Sequence, residues 1–247
     1  MNPPANLERL FPDYSADLEG ECLFMYSDTK RLVTCSVGIM ISPVQRALAL
    51  EWWIGDRRAT EQEVVNDWEA IDSRARKMSD SDLKKWSARM QAPLTSIRLR
   101  KDYSDKLLVN RLRANYAYVV KNLLPELPLA PVDAQMGTMS LAWGVGAGFD
   151  RTNPPRLAFI EAAKRGEWLA AGAGARMRED NNKGIIPRNR HQDLMFANAA
   201  TVVRRGLDPK ALWWPNRCPI DDSLRTLAIK ALDLGLAKTS VPPKPEE

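Results

Sequence analysis

The sequence predicts an α+β fold, predominantly α-helical, with a small β-hairpin or meander near its amino terminus. Three observations carry this. Residues Arg31 to Gly38 alternate with β-branched side chains behind a polar turn cluster, the pattern of a half-buried strand. From about residue 59 onward the apolar residues recur at the three- and four-residue spacings of helices. Pro125, Pro128 and Pro131, and later Gly166, separate one periodic run from the next.

The elements follow in order. The first region, about residues 1–58, starts amphipathic, and its helical stretch closes at Glu19-Gly20. Leu23-Phe24-Met25-Tyr26 reads as a strand and Ser27-Asp28-Thr29-Lys30 as a turn. Arg31 to Gly38 is the returning strand. Thr60 with Glu63 has capping-box spacing and opens a helix through Ile71. Ser79-Asp80-Ser81 caps a second helix reaching about Met90. Leu108, Leu112, Tyr116, Val119 and Leu123 form one apolar stripe on a long helix from Ser104 to Leu124. Residues 132–143 restart as an apolar helix rich in Met and Ala, ending near Gly144 and Gly146. Short helices over Leu157–Ala163 and Glu167–Ala175 flank Gly166, a natural stop. Arg188–Arg204 and Asp221–Leu234 are the last helices, with Asp208-Pro209 opening a turn before Trp213. No internal repeat or linker divides the 247 residues, so they read as one domain.

Composition narrows the function. With 45% hydrophobic and 27% charged residues, the chain has enough apolar material to fold. No stretch approaches the roughly 18–20 apolar residues of a membrane-spanning helix, which argues against membrane insertion. Met1 to Arg9 holds neither a positive start nor an apolar run, so the protein is expected to be made in the cytoplasm without a signal peptide. The 3 cysteines form an odd set with no Cys-x-x-Cys spacing, which argues against a disulfide framework or structural zinc. His191 is the only histidine, so Ser-His-Asp, Cys-His and multi-histidine metal chemistry are not expected. Carboxylates are then the groups for proton transfer, with no metal and no cofactor. A net charge of +5 and a pI near 9.1 point to an anionic partner.

One constellation suits such chemistry. Glu19 ends the first helical stretch, Asp28 sits in the hairpin turn and Thr34 in the returning strand. The hairpin carries the chain away and brings it back, so Asp28 and Thr34 are expected near one another, facing the helix end that bears Glu19. Two carboxylates across a cleft, with a hydroxyl beside one, suit acetal hydrolysis: one acid protonates the leaving oxygen while the other group and the hydroxyl hold a water.

The pattern Glu19-Gly20-x-x-Leu23-x-x-Tyr26-x-Asp28-x-x-x-x-x-Thr34-x-x-x-Gly38 resembles the amino-terminal motif of the phage-type lysozymes, the endolysin muramidases. Thr60-Glu61-Gln62-Glu63-Val64 is similar to the helix start after that family's β element. Leu141-Ala142-Trp143-Gly144-Val145-Gly146 stands where the family has an aromatic-Asn/Gln-x-Gly helix end. Pro187 to Phe196 resembles its closing Arg-x-x-Glu-x-x-Leu helix. The resemblance implies a lysozyme-like fold in one domain, 1–247. Residues 10–58 would hold the catalytic helix end and β element, and 59–205 a helical lobe with an insertion at about 70–103. Residues 206–247 would form a carboxy-terminal extension.

The resemblance also implies an inverting peptidoglycan hydrolase. It would cut the β-1,4 bond between N-acetylmuramic acid and N-acetylglucosamine, with Glu19 as general acid in a partly apolar setting. Asp28 and Thr34 would position water. Arg190 or Arg188 would pair with Glu19 or touch substrate, and Trp143 and Gly144 would contact the glycan strand. Three departures stand out: Ser36 replaces a glycine, Ile39 a histidine, and Gly144 the sugar-contacting amide. They motivate a second expectation, a catalytically impaired peptidoglycan-binding protein.

A third reading, a basic helical nucleic-acid binder, rests on Arg98, Arg100, Lys101, Lys106, Arg111 and Arg113. Asp102 and Asp105 interrupt that stripe, so a solvated helix face is the preferred reading and no nucleic-acid partner is expected. Trp52-Trp53 and Trp213-Trp214 read as buried packing, with sugar stacking the alternative. Without a signal, such an enzyme would reach the periplasm or cell wall through a holin-type pore or by injection. An injected effector would have a secretion-apparatus component and an immunity protein as partners.

Overall fold

The computed structural model describes residues 2–149, 153–180 and 184–218. The helix expected over Asp221–Leu234 lies outside them. Among the described residues helices dominate and two small antiparallel sheets supply the strands, so the α+β, mainly helical expectation holds. The chain divides into two compact units, Arg9–Arg111 and Met1–Glu8 with Leu112–Glu247. The divisions, after Glu8 and after Arg111, both fall inside helices.

The first unit carries the strands. Helix α1 (Ala5–Glu19) ends in it at Gly20, whose φ of +71° is the left-handed geometry that glycine adopts freely at a helix stop. Strands β1 (Cys22–Ser27), β2 (Val33–Ser36) and β3 (Ile39–Met40) form one sheet in chain order. A short helix α2 (Gln45–Leu48) precedes a second hairpin, β4 (Trp53–Ile54) and β5 (Arg57–Arg58).

Helix α3 (Glu61–Lys77) starts at the expected capping box. The Thr60 hydroxyl accepts the Glu63 amide at 3.3 Å, and the Glu63 carboxylate accepts the Thr60 amide at 2.8 Å. The helix runs past Ile71 because Ala75, one turn on, still faces the core. That core joins Met25, Val33 and Cys35 of the sheet to Val64, Ile71 and Ala75 of α3, with Trp52, Trp86 and Ile97 around them.

The single helix expected from Ser79 to Met90 is two: α4 (Asp80–Lys85), capped by Ser79, and α5 (Ala88–Gln91). Tertiary bonds break it. Trp86 turns into the core, and the buried Gln91 amide group donates to the carbonyls of Trp86 (3.0 Å) and Ser27 (3.2 Å). Its oxygen accepts the Ser27 amide at 2.6 Å. One side chain thus satisfies both backbone groups of a strand residue.

The second unit is helical among its described residues. It takes up the second half of α6 (Lys101–Asn122), then α7 (Val132–Val145), α8 (Pro154–Lys164), α9 (Trp168–Ala175) and α10 (Ile185–Arg205). Residues 132–143 of α7 are buried on every side, as expected for a helix apolar all round. Phe196 of α10 is central, its ring 5.8 Å from that of Phe159 and 6.5 Å from Trp168. Helices α8 and α9 approach closely at Gly174, where an added Cβ would lie 2.7 Å from the Phe159 amide nitrogen. Asp133, at the start of α7, accepts the amides of Trp213 (2.9 Å) and Trp214 (3.0 Å) and so anchors the segment after α10.

Candidate active site

The β1–β2 hairpin sets the site's geometry. Tyr26 pairs with Thr34 and Ser27 with Val33 in antiparallel register. Tyr26 stands opposite Thr34 on the ladder, while Met25, Val33 and Cys35 belong to the core; Asp28 follows β1, in the turn. Asp28 organises the turn: its Oδ1 accepts the amides of Lys30 and Leu32, each at 2.8 Å, and its own amide donates to the Leu32 carbonyl at 3.0 Å. Thr34 donates its hydroxyl to the Leu32 carbonyl at 3.0 Å. Arg31, at φ +61°, reaches from the same turn to Asp80 at 2.6 Å and to the Met78 carbonyl at 3.1 Å.

Glu19 is the last residue of α1. Its side chain is exposed, not in the partly apolar setting expected of it. Burial first drives the Tyr26 hydroxyl well above the ordinary tyrosine range, and the charges of Cys22, Glu19, Cys35 and Asp28 add to the rise. Thr34, 4% exposed, stands opposite Tyr26 across the ladder.

Comparison with protein-family models, with curated proteins and with solved structures finds no match.

The other sequence-derived site residues belong to the helical unit. Trp143 is 5% exposed, which leaves it no open ring face for a sugar. Gly144 is exposed, and a Cβ there would lie 3.1 Å from Met177 Sδ and 3.5 Å from Arg188 Cδ. Arg188, 2% exposed, donates to the Ser140 carbonyl at 3.1 Å, a bond within the unit's core. Arg190 is exposed.

The departures from the lysozyme pattern have local explanations. Ser36 sits at φ +52°, the left-handed geometry where a glycine would be unstrained, and its hydroxyl lies 2.5 Å from that of Ser104. Ile39 packs against the hydrophobic core of its unit. Sequence reasoning assigned no role to Gln91, which holds the Ser27 backbone from 64 residues away, to the Glu21–Ser104 side-chain bond, or to Tyr26.

Several members of the aromatic pairs and of the basic stripe are engaged within the protein. Trp52 is buried, and its indole donates to the Ala47 carbonyl at 2.8 Å. Arg100 lies 3.4 Å from the Trp53 ring centroid, with Arg58 at 5.5 Å, so guanidinium groups cover Trp53 where a sugar would stack. Trp214 donates to His191 Nδ1 at 3.0 Å, which makes the histidine a packing partner of the segment after α10 and not a simple surface residue. Arg111 donates to the Gly38 carbonyl at 2.6 Å and Arg113 to Glu8 at 2.7 Å. Among the described residues no group of three or more His, Cys, Asp or Glu side chains could hold a metal ion, and no helix is long and apolar enough to cross a membrane.

Proposed function

We propose that this chain is a peptidoglycan hydrolase of lysozyme-like fold. It cleaves the β-1,4 bond between N-acetylmuramic acid and N-acetylglucosamine with inversion. The reading rests on the Glu19/Asp28/Thr34 spacing. The observation that carries it is the hairpin itself, in which Asp28 closes the turn on the Leu32 amide and Thr34 returns opposite Tyr26.

Glu19, exposed at the helix end, is the acid that protonates the leaving glycosidic oxygen. The hairpin bonds divide the other roles. Asp28 Oδ1 is held by two amides, so Oδ2 is the oxygen that takes a proton from water. The Thr34 hydrogen is committed to the Leu32 carbonyl, so its oxygen accepts the second water hydrogen. A water held by both hydrogens turns its lone pair to the anomeric carbon. Inversion requires roughly 6.5–9.5 Å between the carboxyl groups. The activity is exerted in the periplasm or cell wall, after release through a holin-type pore or injection, and in the injected case an immunity protein is the expected partner.

The test is turbidity loss of purified sacculi with wild type and Glu19→Gln. Clearing by wild type alone, with new reducing ends, supports the reading. Equal clearing by both removes Glu19 as the acid, no clearing by either rejects the hydrolase, and 1,6-anhydro products indicate a lytic transglycosylase. A second reading, a peptidoglycan-binding protein without turnover, is favoured by the buried Trp143 and the missing side chain at Gly144. Sedimentation with sacculi and no product release would select it.

A further inference from the structure

Away from the three candidate residues, the same unit holds a buried hydrogen-bonded chain that the proposed reaction does not use. Ser104, in the first turns of α6, donates its hydroxyl to Glu21 Oε1 at 2.8 Å. The Ser36 hydroxyl lies 2.5 Å from the Ser104 oxygen. A hydroxyl carries one hydrogen, and that of Ser104 goes to Glu21, so Ser36 is the donor to Ser104. Both serines are buried, at 0% and 1% exposure. Lys101 Nζ, one turn before Ser104 on α6, lies 3.5 Å from the same Glu21 oxygen and supplies the countercharge.

The ends of this chain are informative. Glu21 stands two residues after Glu19, across the left-handed Gly20. Ser36 stands two residues after Thr34, at the end of β2, and is itself held in a left-handed conformation. A buried hydroxyl without a partner is costly, and a non-glycine residue at positive φ is strained, so neither feature persists unless its surroundings determine it. The partner that satisfies Ser36 also grips the segment leaving α1.

We propose that Glu21, Ser104 and Ser36 form a conformational tie that sets the spacing between the end of α1 and strand β2. On the hydrolase reading above, on which this role rests, the tie positions Glu19 relative to Thr34. None of the three touches substrate; they are positioning residues.

The test reads the tie by hydrogen–deuterium exchange and the reaction by sacculus hydrolysis, in the full chain. Ser104→Ala should speed exchange about tenfold in peptides covering both 16–22 and 33–37, the loss expected for one buried hydrogen bond. It should also lower kcat while leaving KM within about twofold, because binding is retained and alignment is lost. Ser36→Gly suits the local φ and serves as the variant that folds in any case; it should loosen 33–37 but keep 16–22 protected, since Ser104 still holds Glu21. Faster exchange confined to α6, or to one of the two segments in Ser104→Ala, overturns the tie. Unchanged kcat with coupled exchange overturns its role in catalysis. A wild type that is inactive on sacculi while its exchange is coupled rejects the hydrolase and keeps the tie; an active wild type with uncoupled exchange does the reverse.

Discussion

Asp28 Oδ1 stands 2.8 Å from the amide of Leu32, across the hairpin turn, and 2.8 Å from that of Lys30. The same carboxylate is assigned both a structural oxygen and a chemical one, and substitution separates them. Asp28→Asn keeps an oxygen acceptor for the two amides and should cost under about 1 kcal/mol of stability, while on the proposed hydrolase reading sacculus clearing falls at least about a hundredfold with loss of the proposed base. Asp28→Ala should lose clearing and also about 1–2 kcal/mol. Urea unfolding together with turbidity assays reads both.

The capping box of α3 predicts an acid-sensitive contribution to stability. Arg57 at 2.6 Å and the Thr60 amide hold the Glu63 carboxyl at about 2, below its ordinary value. The unfolded chain therefore binds more protons than the folded one between about pH 4 and pH 2. The contribution is fully present above that window and is lost as pH falls through it. Glu63→Gln should show a flatter decline of unfolding free energy over this range than wild type, in denaturant titrations from pH 5 to pH 2.

Asp193 predicts the opposite slope. Burial pushes its carboxyl up to about 6, with Glu179 raising it further and Arg176 opposing. The folded chain holds the proton more tightly, so this residue's contribution falls as pH rises from about 4 to about 6. Its side chain is 37% exposed, so solvent screens the effect and the slope is shallow. The difference in unfolding free energy between wild type and Asp193→Asn should change across that window and be flat above about pH 7.

Gly174 sits where α8 and α9 touch through their backbones. A Cβ there meets the Phe159 amide nitrogen at 2.7 Å and the Pro155 carbonyl oxygen at 2.8 Å, neither of which can swing aside. Gly174→Ala should cost about 2–3 kcal/mol despite the higher helix propensity of alanine. A shift in the urea midpoint of less than about 0.5 kcal/mol equivalent would show that the two helices separate easily.

Local signals were read correctly from the sequence. The Thr60/Glu63 box, the stop at Gly166 and the turn at Asp28 each depend on residues a few positions apart, and all are present. The continuous helix over Ser79–Met90 failed because Trp86 and Gln91 answer to partners elsewhere: the core in one case and Ser27, 64 residues away in sequence, in the other. Helical periodicity cannot register that competition.

From the order of its residues alone, the chain determined the mainly helical α+β class and the hairpin whose turn holds Asp28 and whose returning strand holds Thr34, because period and turn chemistry are short-range. Tertiary structure alone decided that Trp53 lies under Arg100 and Arg58, that Arg188 and Trp143 are buried, and that Ser104 satisfies Ser36 and Glu21 together. Those outcomes follow from burial: once water is excluded, each polar group takes whatever partner folding brings within about 3 Å, however far apart the two lie in sequence.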